Sequence, residues 1–253
     1  MPKVKYEEML PHEIVARRND CPIAYVALGG VEWHGEHLAV GNDTLKAEKL
    51  AELCALKGGM RMPALYWGEP RETHMMEANH DSDGKIAEKM DLPADSFAPG
   101  HMMRPQYDAD RAYIELLFHI LRQCESLGFQ VITLIAGHYP LIQPARAACD
   151  WYALDGKARA WACSGYELVK DVVPDAGDHA AKWETSLLMA LRPECVDMSR
   201  LPDDPDEKLI GVGGIDPRGN ASVEYGRKGA EIVVERISEE AHNLLGPWPP
   251  SQG

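Results

Sequence analysis

The sequence has little that would suit a partner with a negatively charged surface. Its 253 residues contain 26 lysines and arginines against 40 aspartates and glutamates, which gives a formal net charge of −14. Nucleic acids and anionic membrane surfaces would repel such a chain, because both carry negative charge and bind clusters of basic side chains. The composition therefore predicts neither a nucleic-acid partner nor a membrane partner.

Long apolar runs and paired cysteines are also missing. No segment reaches the roughly 20 apolar residues of a membrane-spanning helix, and Met1–Glu8 lacks the apolar core of a signal peptide. The six cysteines are scattered without a Cys-x-x-Cys spacing. We expect them to be reduced thiols in the core of a cytoplasmic protein, neither disulfides nor a zinc site.

Apolar runs that are typical of buried strands alternate with stretches of helical periodicity. The predicted strands are Ile23–Leu28, Met60–Tyr66, Gln130–Ala136 and, with a weaker pattern, Ala160–Ser164. The predicted helices are Leu45–Leu56, Asp108–Leu127, Ile142–Leu154 and Ala230–Leu245. This alternation predicts a single α/β domain over residues 1–253, with three α/β/α layers around a mostly parallel sheet.

The segment Gly29–Thr44 is the most informative part of the sequence. Glu32 and His34 follow the first predicted strand and are two residues apart, so on an extended chain their side chains point the same way. Asp43 comes after a glycine-containing loop, directly before a helix-like run. Two carboxylates and an imidazole at the carboxyl end of a buried strand suit a divalent ion such as zinc or manganese. A polar loop whose acids cap the next helix is the alternative interpretation.

Four segments together resemble the creatininase family of amidohydrolases. Glu32–Asp43 resembles its Glu-x-His-Gly-x-His motif with a following Asp, and Leu134–Tyr139 resembles its strand that ends in Asn-Gly-His. Asp178–Ser186 is similar to its His-x-x-x-x-Glu-Thr-Ser segment, and Gly211–Gly226 to its Gly-Asp-Pro and Glu-x-Gly signature. The resemblance implies a creatininase-like fold, two divalent metal ions (zinc, manganese or both) as cofactors, and hydrolysis of a C–N bond in a small molecule by a metal-activated water.

The resemblance also implies a set of metal ligands. They are Glu32, His34, Asp43, His138 and Glu184, with Asp43 bridging the two ions. Pro140 departs from creatininase itself, which has a ligand glutamate at that position. Proline has no side-chain donor, so the fifth ligand is assigned to Glu184. The alternative for Glu184 is an acid at the start of a helix.

Catalytic and substrate-binding residues follow from the same resemblance. His179 matches a histidine beside the substrate, and a neutral imidazole can move a proton between water and a leaving nitrogen. Asp178 matches its acidic neighbour, which can orient the imidazole or bind a cationic part of the substrate. Tyr139, Tyr166 and His101 match positions that line the pocket. An exposed Asp-His pair in a loop and ordinary packed tyrosines are the alternatives.

The altered pocket limits the substrate prediction to a small, amide-like molecule that is not creatinine. Creatininase has a substrate-stacking tryptophan where Pro174–Gly177 has no aromatic residue, and its Pro-Gly-Thr loop is replaced by Pro99–Met103. Two alternatives stay open. One is a lactonase, lyase or isomerase that uses the same site on a hydroxylated, sugar-like substrate, and the other is a non-catalytic member of the family.

Residues Pro70–Pro105 break the regular pattern and contain five of the eleven methionines. Methionine adapts to irregular contact surfaces, so a Met-rich segment without periodicity suits an interface with a second copy of the chain. We expect a homo-oligomer, a hexamer by resemblance to the family. A lid over the chain's own site is the alternative. The histidines of this segment, His74, His80 and His101, are expected more as solvated loop residues than as ligands.

Overall fold

A four-stranded parallel sheet forms the centre of the molecule, which a computed structural model describes over residues 2–68, 84–94, 96 and 106–246. The strands are β1 (Ile23–Leu28), β2 (Met60–Arg61), β3 (Val131–Ala136) and β4 (Arg159–Ser164), in the order β2-β1-β3-β4. The helices are α1 (Pro11–Asp20), α2 (Asn42–Lys57), α3 (Lys85–Lys89), α4 (Gln106–Ser126), α5 (Ile142–Tyr152), α6 (Lys182–Leu191) and α7 (Val223–Leu245).

Helices cover both faces of the sheet, which confirms the predicted three-layer α/β/α architecture. Every residue of β1 is buried, and successive side chains alternate between two apolar cores because a strand points them to opposite faces. Ile23, Tyr25 and Ala27 pack with α2, α6 and α7. The residues between them pack with α4 and α5. None of the described helices is long and apolar enough to span a membrane.

The second strand is shorter than the prediction Met60–Tyr66. Strand pairing in β2 ends at Arg61, since Pro63 follows and has no backbone N–H to donate to a ladder. The chain still runs beside β1, because the backbone N–H of Leu65 donates to the carbonyl oxygen of Ala27 at 2.9 Å. The other predicted strands are confirmed to within one residue at each end.

The last helix is longer than the prediction Ala230–Leu245. It begins at Val223, where the Ser222 hydroxyl caps it by accepting the backbone N–H of Tyr225 at 3.2 Å. The sequence pattern does not predict this first part of the helix, because it contains Gly226 and Gly229 and glycine is a poor helix former. Gly226 is needed for packing, since a Cβ there would lie 1.7 Å from the Ser186 carbonyl oxygen of α6.

Three further helices of the described residues, α1, α3 and α6, are not among the four predicted from the sequence. Helix α1 has no fully buried residue, so it lacks the apolar face that would reveal it. Within Pro70–Pro105, the described residues 84–94 and 96 contain the short helix α3, whose Ile86 is buried against Trp33. That part is more regular than predicted. His74, His80 and His101 lie outside the described residues.

Candidate metal centre

The carboxyl ends of β1 and β3 meet the amino end of α2, and two glycines make this close approach feasible. A Cβ on Gly137, which follows β3, would lie 2.0 Å from the Asp43 carbonyl oxygen. A Cβ on Gly29, which follows β1, would lie 2.5 Å from the backbone nitrogen of Thr44. Only glycine fits at both positions, so both strand ends contact the first turn of α2. This arrangement brings residues after each strand to Asp43.

The two carboxylate oxygens of Asp43 face two groups of side chains. The first group, here named the Glu32 side, consists of Glu32, His138 and Asp43 Oδ2. His138 Nδ1 lies 3.0 Å from Asp43 Oδ2 and 3.1 Å from Glu32 Oε1. All three residues are buried. One imidazole nitrogen and two carboxylates thus converge at a single point, as in the protein part of a mononuclear metal site.

The second group, here named the Glu184 side, consists of His34, Glu184 and Asp43 Oδ1. His34 Nε2 lies 3.2 Å from Asp43 Oδ1 and 3.5 Å from Glu184 Oε2. The other ring nitrogen of His34, Nδ1, lies 3.2 Å from the carbonyl oxygen of Glu32, which can only accept a hydrogen bond. Nδ1 therefore carries a proton, and Nε2 of this completely buried imidazole faces carboxylates. Histidines that bind metals are held in this way.

The buried carboxylates favour a positive charge on the two histidines. Burial opposes the imidazolium of His34, but Asp43 and Glu184 outweigh it and raise its pKa to about 9. In His138 burial is likewise outweighed by Glu32 and Asp43, which raise the pKa to about 10. Burial raises the pKa of Glu32 to about 7. A metal ion would replace these protons, so the donor set fits a divalent cation.

Lys46 is a charged residue of the site that the sequence interpretation missed. It lies one turn after Asp43 on α2, is 3% exposed, and donates to Asp43 Oδ1 at 2.6 Å and to Glu184 Oε1. These two carboxylates raise its pKa well above the ordinary value against the opposing effect of burial. The signal in the sequence was a lysine three residues after Asp43, directly before the buried Ala47.

Glu184 has two roles in the structure. It lies in the first turn of α6, and its Oε2 accepts the backbone N–H of Ala180 at 2.8 Å. This contact matches the alternative interpretation of an acid at a helix start. The same carboxylate faces His34 and Lys46, so it also belongs to the buried cluster.

His179 lies beside the cluster with a defined ring orientation. Its Nε2 donates to the Trp33 carbonyl oxygen at 3.0 Å, and its Nδ1 lies 3.9 Å from Glu32 Oε1. Burial lowers its pKa to about 3, helped by the charge on His34, so the ring is neutral at pH 7. Glu32, His34 and His179 also lie close enough together to hold an ion, so His179 could be a ligand as well as an acid–base group.

Asp178 is engaged at the amino end of α6. Its carboxylate accepts the backbone N–H groups of Trp183 at 2.6 Å and Glu184 at 3.1 Å. Burial raises its pKa to about 7, and the nearby Glu184 carboxylate adds to the shift. Asp178 therefore anchors the helix that carries Glu184. Its predicted role in orienting His179 or binding substrate stays a prediction.

The predicted pocket tyrosines lie on the far side of Lys46. The rings of Tyr139 and Tyr166 pack edge to face with centroids 4.6 Å apart, and the Lys46 ammonium lies 5.1 Å from the centre of the Tyr139 ring. Tyr139 is thus next to the Glu184 side, whereas Tyr166 packs behind it. His101, the third predicted substrate-binding residue, lies outside the described residues.

Comparison with known proteins agrees with this geometry. The family profile described as creatinine amidohydrolase matches residues 7–86 and 109–240. A comparison with functionally curated proteins finds no match. Among solved structures, a creatinine amidohydrolase (creatininase) superposes with a TM-score of 0.72 at 20% identity, covering 98% of this chain and 100% of that one.

Two further structures are similar in fold. A mutant creatininase of Zn–Zn type has a TM-score of 0.72 at 21% identity and covers 98% of this chain and 100% of its own. A structure described as "Creatininase Mn" has a TM-score of 0.70 at 21% identity and covers 97% and 100%. The match of the family profile extends over most of the chain. The chain therefore belongs to the creatininase family and is a metal-dependent amidohydrolase.

Proposed function

We propose that this protein hydrolyses a C–N bond in a small, amide-like molecule with a water activated by a divalent ion. One observation carries the proposal: Nε2 of the buried His34 and Nδ1 of His138 both face carboxylates that converge on Asp43. A buried cluster of this kind has no evident structural purpose without a cation. The metals named for two similar structures, zinc and manganese, support the same class of ion.

The Glu32 side is the best place for such an ion. Glu32, Asp43 and His138 would hold it through two carboxylates and one imidazole, which leaves positions open for water and substrate. When bound, the ion would supply Lewis-acid chemistry that polarises a carbonyl group and lets a water lose its proton near neutral pH.

His179 is suited to move the proton. Its Nε2–H is fixed on the Trp33 carbonyl oxygen, so the lone pair of Nδ1 faces the cluster and can accept a proton from the attacking water. The same nitrogen can then donate that proton to the departing amide nitrogen. Two backbone hydrogen bonds of 2.8 Å between His179 and Gly213 hold the residue in place. The adjacent Ala180, at φ +52°, turns the chain into α6.

The number of ions is a separate question. The family resemblance implies a second ion on the Glu184 side, bound by His34, Asp43 and Glu184, and these residues do lie close together. Lys46, however, donates to two of the three. The residues present thus fit one ion without conflict, and the dinuclear form stays a prediction.

Substrate assays with controlled metal content test the proposed function. The purified protein would be treated with a chelator, reloaded with zinc or manganese, and assayed on cyclic amides, linear amides and lactones. We expect amide hydrolysis that disappears on chelation and returns with the ion. Turnover of lactones alone would favour the lactonase alternative, and amide hydrolysis that survives complete metal removal would contradict the proposal.

We also propose a cytoplasmic homo-oligomer. The six cysteines are all free, which suits a reducing compartment. In the described part of the Met-rich segment, Met90 and Leu92 are each 40% exposed, as apolar residues at an interface would be in an isolated chain. Light scattering should give a mass several times 28.0 kDa, with a hexamer expected. A mass near that of one chain would refute the oligomer and favour a lid.

A further inference from the structure

We infer that Lys46 takes the place of a second metal ion, so that this enzyme works with one divalent ion and one built-in ammonium group. The inference deepens the proposed function and rests on it. It comes from the positions of charged atoms around Asp43, and it assigns to Lys46 a role that the family resemblance does not contain.

The Lys46 ammonium group contacts two of the residues that would bind an ion on the Glu184 side. Lys46 Nζ lies 2.6 Å from Asp43 Oδ1, and it also donates to Glu184 Oε1. It therefore bridges two of the three residues that would have to bind an ion on the Glu184 side. Only His34 of that group has no contact of this kind with Lys46. On the Glu32 side, by contrast, the two acids contact Nδ1 of His138, and an imidazole nitrogen is itself a common metal ligand, which an ammonium group is not.

Lys46 is held in this position by its surroundings. Its side chain extends inward from α2, is 3% exposed, and packs under the Tyr139 ring. An ammonium group that left the two carboxylates would have to stay buried without a partner, which is strongly unfavourable. Lys46 is thus a fixed component of the cluster and differs from a surface lysine that can swing aside when an ion arrives.

The charges of the buried side chains also favour a single ion. The buried carboxylates of Glu32, Asp43 and Glu184 carry three negative charges. One divalent ion and the Lys46 ammonium balance them, counting His34 and His138 as neutral imidazoles. Two divalent ions beside Lys46 would leave an excess of two positive charges before any anion binds, and uncompensated buried charge is costly. A single ion is therefore the state that the surrounding side chains neutralise.

Pro140 supplies an independent observation. Its side chain cannot bind an ion, because proline has no side-chain donor atom. It lies in the turn Tyr139–Leu141, directly after His138. Among the residues that the structure describes, an ion on the Glu184 side would then have three protein ligands, with Lys46 bonded to two of them. Both the missing donor and the added ammonium act against the same ion.

Metal counting on the wild-type protein is the first test. The protein would be saturated with zinc and separated from unbound ions by gel filtration. Mass spectrometry would then give the zinc concentration, and amino-acid analysis would give the protein concentration. We expect about one ion per chain. A count of about two would overturn this inference and leave the proposed function standing. No bound ion would overturn both.

The substitution Lys46→Met is the second test. It removes the ammonium at similar length, so the Glu184 side should accept a second ion and the count should rise to about two per chain. Lys49→Met is the matched control: Lys49 is on the same helix, pairs with Glu52 at 3.1 Å, and lies away from the cluster. It should keep one ion. A folded Lys46→Met protein that still binds one ion would contradict the inference.

A third measurement does not depend on the folding of any variant. Wild-type protein saturated with manganese should show the electron paramagnetic resonance spectrum of isolated Mn²⁺. Two manganese ions that share Asp43 would couple magnetically and change the hyperfine pattern. Such a coupled spectrum would overturn the assignment of Lys46 as the second cation.

Discussion

The negative charge of Asp43 has different positively charged partners on its two sides. On the Glu32 side, Asp43 Oδ2 faces a histidine, whose proton a metal ion can replace. On the Glu184 side, Asp43 Oδ1 contacts a lysine, whose proton is held far more firmly. One carboxylate therefore separates an exchangeable cation site from a permanent cation. We therefore propose that the chemistry takes place on the Glu32 side and that the Glu184 side mainly positions Asp43.

The substitution that should break both sides at once is Asp43→Ala. It removes a carboxylate from the ion, and it takes one of two buried carboxylate partners from Lys46 and from His138. We expect metal content to fall close to zero and stability to fall by about 3–5 kcal/mol, the usual cost of removing one partner of a buried ion pair. Metal analysis and urea unfolding measure the two effects. Full metal content in this variant would show that Asp43 is not a ligand.

The substitution His179→Ala should affect turnover without affecting either side of Asp43. We expect a decrease of about 10²–10⁴-fold in turnover with unchanged metal content, the typical contribution of a general acid–base group. The matched control is His12→Ala, because His12 is exposed on α1. If His179→Ala loses its ion instead, His179 is a ligand through Nδ1, as its distance to the cluster would allow.

The pair Glu32→Gln and Glu184→Gln compares the two sides directly. Glu32→Gln removes a proposed ligand, so the dissociation constant of the ion should rise at least about tenfold, which is the smaller effect of changing a residue that only hydrogen-bonds to a metal ligand. Glu184→Gln removes a partner of Lys46 and should change the dissociation constant less, while lowering stability. Isothermal titration with zinc and thermal unfolding distinguish the outcomes. Equal losses of affinity would mean that both sides bind an ion.

How far the sequence predicts this site depends on how far apart the partners lie along the chain. Glu32 and His34 were predictable because they follow a buried strand, and Asp43 because it lies at the start of a helix. Lys46 could not be assigned a role, since its partner Glu184 is 138 positions away and only the fold brings the two together. Asp178 and Glu184 differ, because their contacts at the start of α6 are only four to six positions apart. Glu184 at a helix start was accordingly the alternative interpretation of the sequence.

The fold was predictable where burial produces a clear period. Strands β1 and β3 are buried along their whole length and were found almost to the residue. Helix α1 lies on the surface with little apolar content, and the start of α7 contains glycines that serve packing on α6. In both cases tertiary contacts decide the structure, and local propensity does not reveal them.

The smallest expected effect concerns pH. In metal-free protein the pKa values of His34 and His138 are raised to about 9 and about 10, and those of Glu32 and Asp178 to about 7. A group with a raised pKa contributes stability below its unfolded pKa and loses that contribution as the pH rises through its folded pKa. All four shifts have this sign.

Metal-free protein should therefore lose thermal stability between pH 6 and pH 10, and metal-loaded protein should lose less. Thermal unfolding of both forms over this range is the measurement. On the Glu184 side His34 should contribute. Lys46 and Glu184 should not, because Lys46 stays charged over this range and the pKa of Glu184 lies below its usual value, with Lys46 overcoming the opposing effect of burial. Identical pH profiles of the two forms would contradict the proposed exchange of protons for an ion.

The most direct test of the difference between the two sides is anomalous diffraction from zinc-loaded crystals, recorded above the zinc absorption edge. We expect a single peak in contact with Glu32, Asp43 and His138, with Lys46 Nζ still hydrogen-bonded to Asp43 and Glu184. Two peaks on opposite sides of Asp43, with the Lys46 side chain displaced, would contradict the assignment of Lys46 as the second cation.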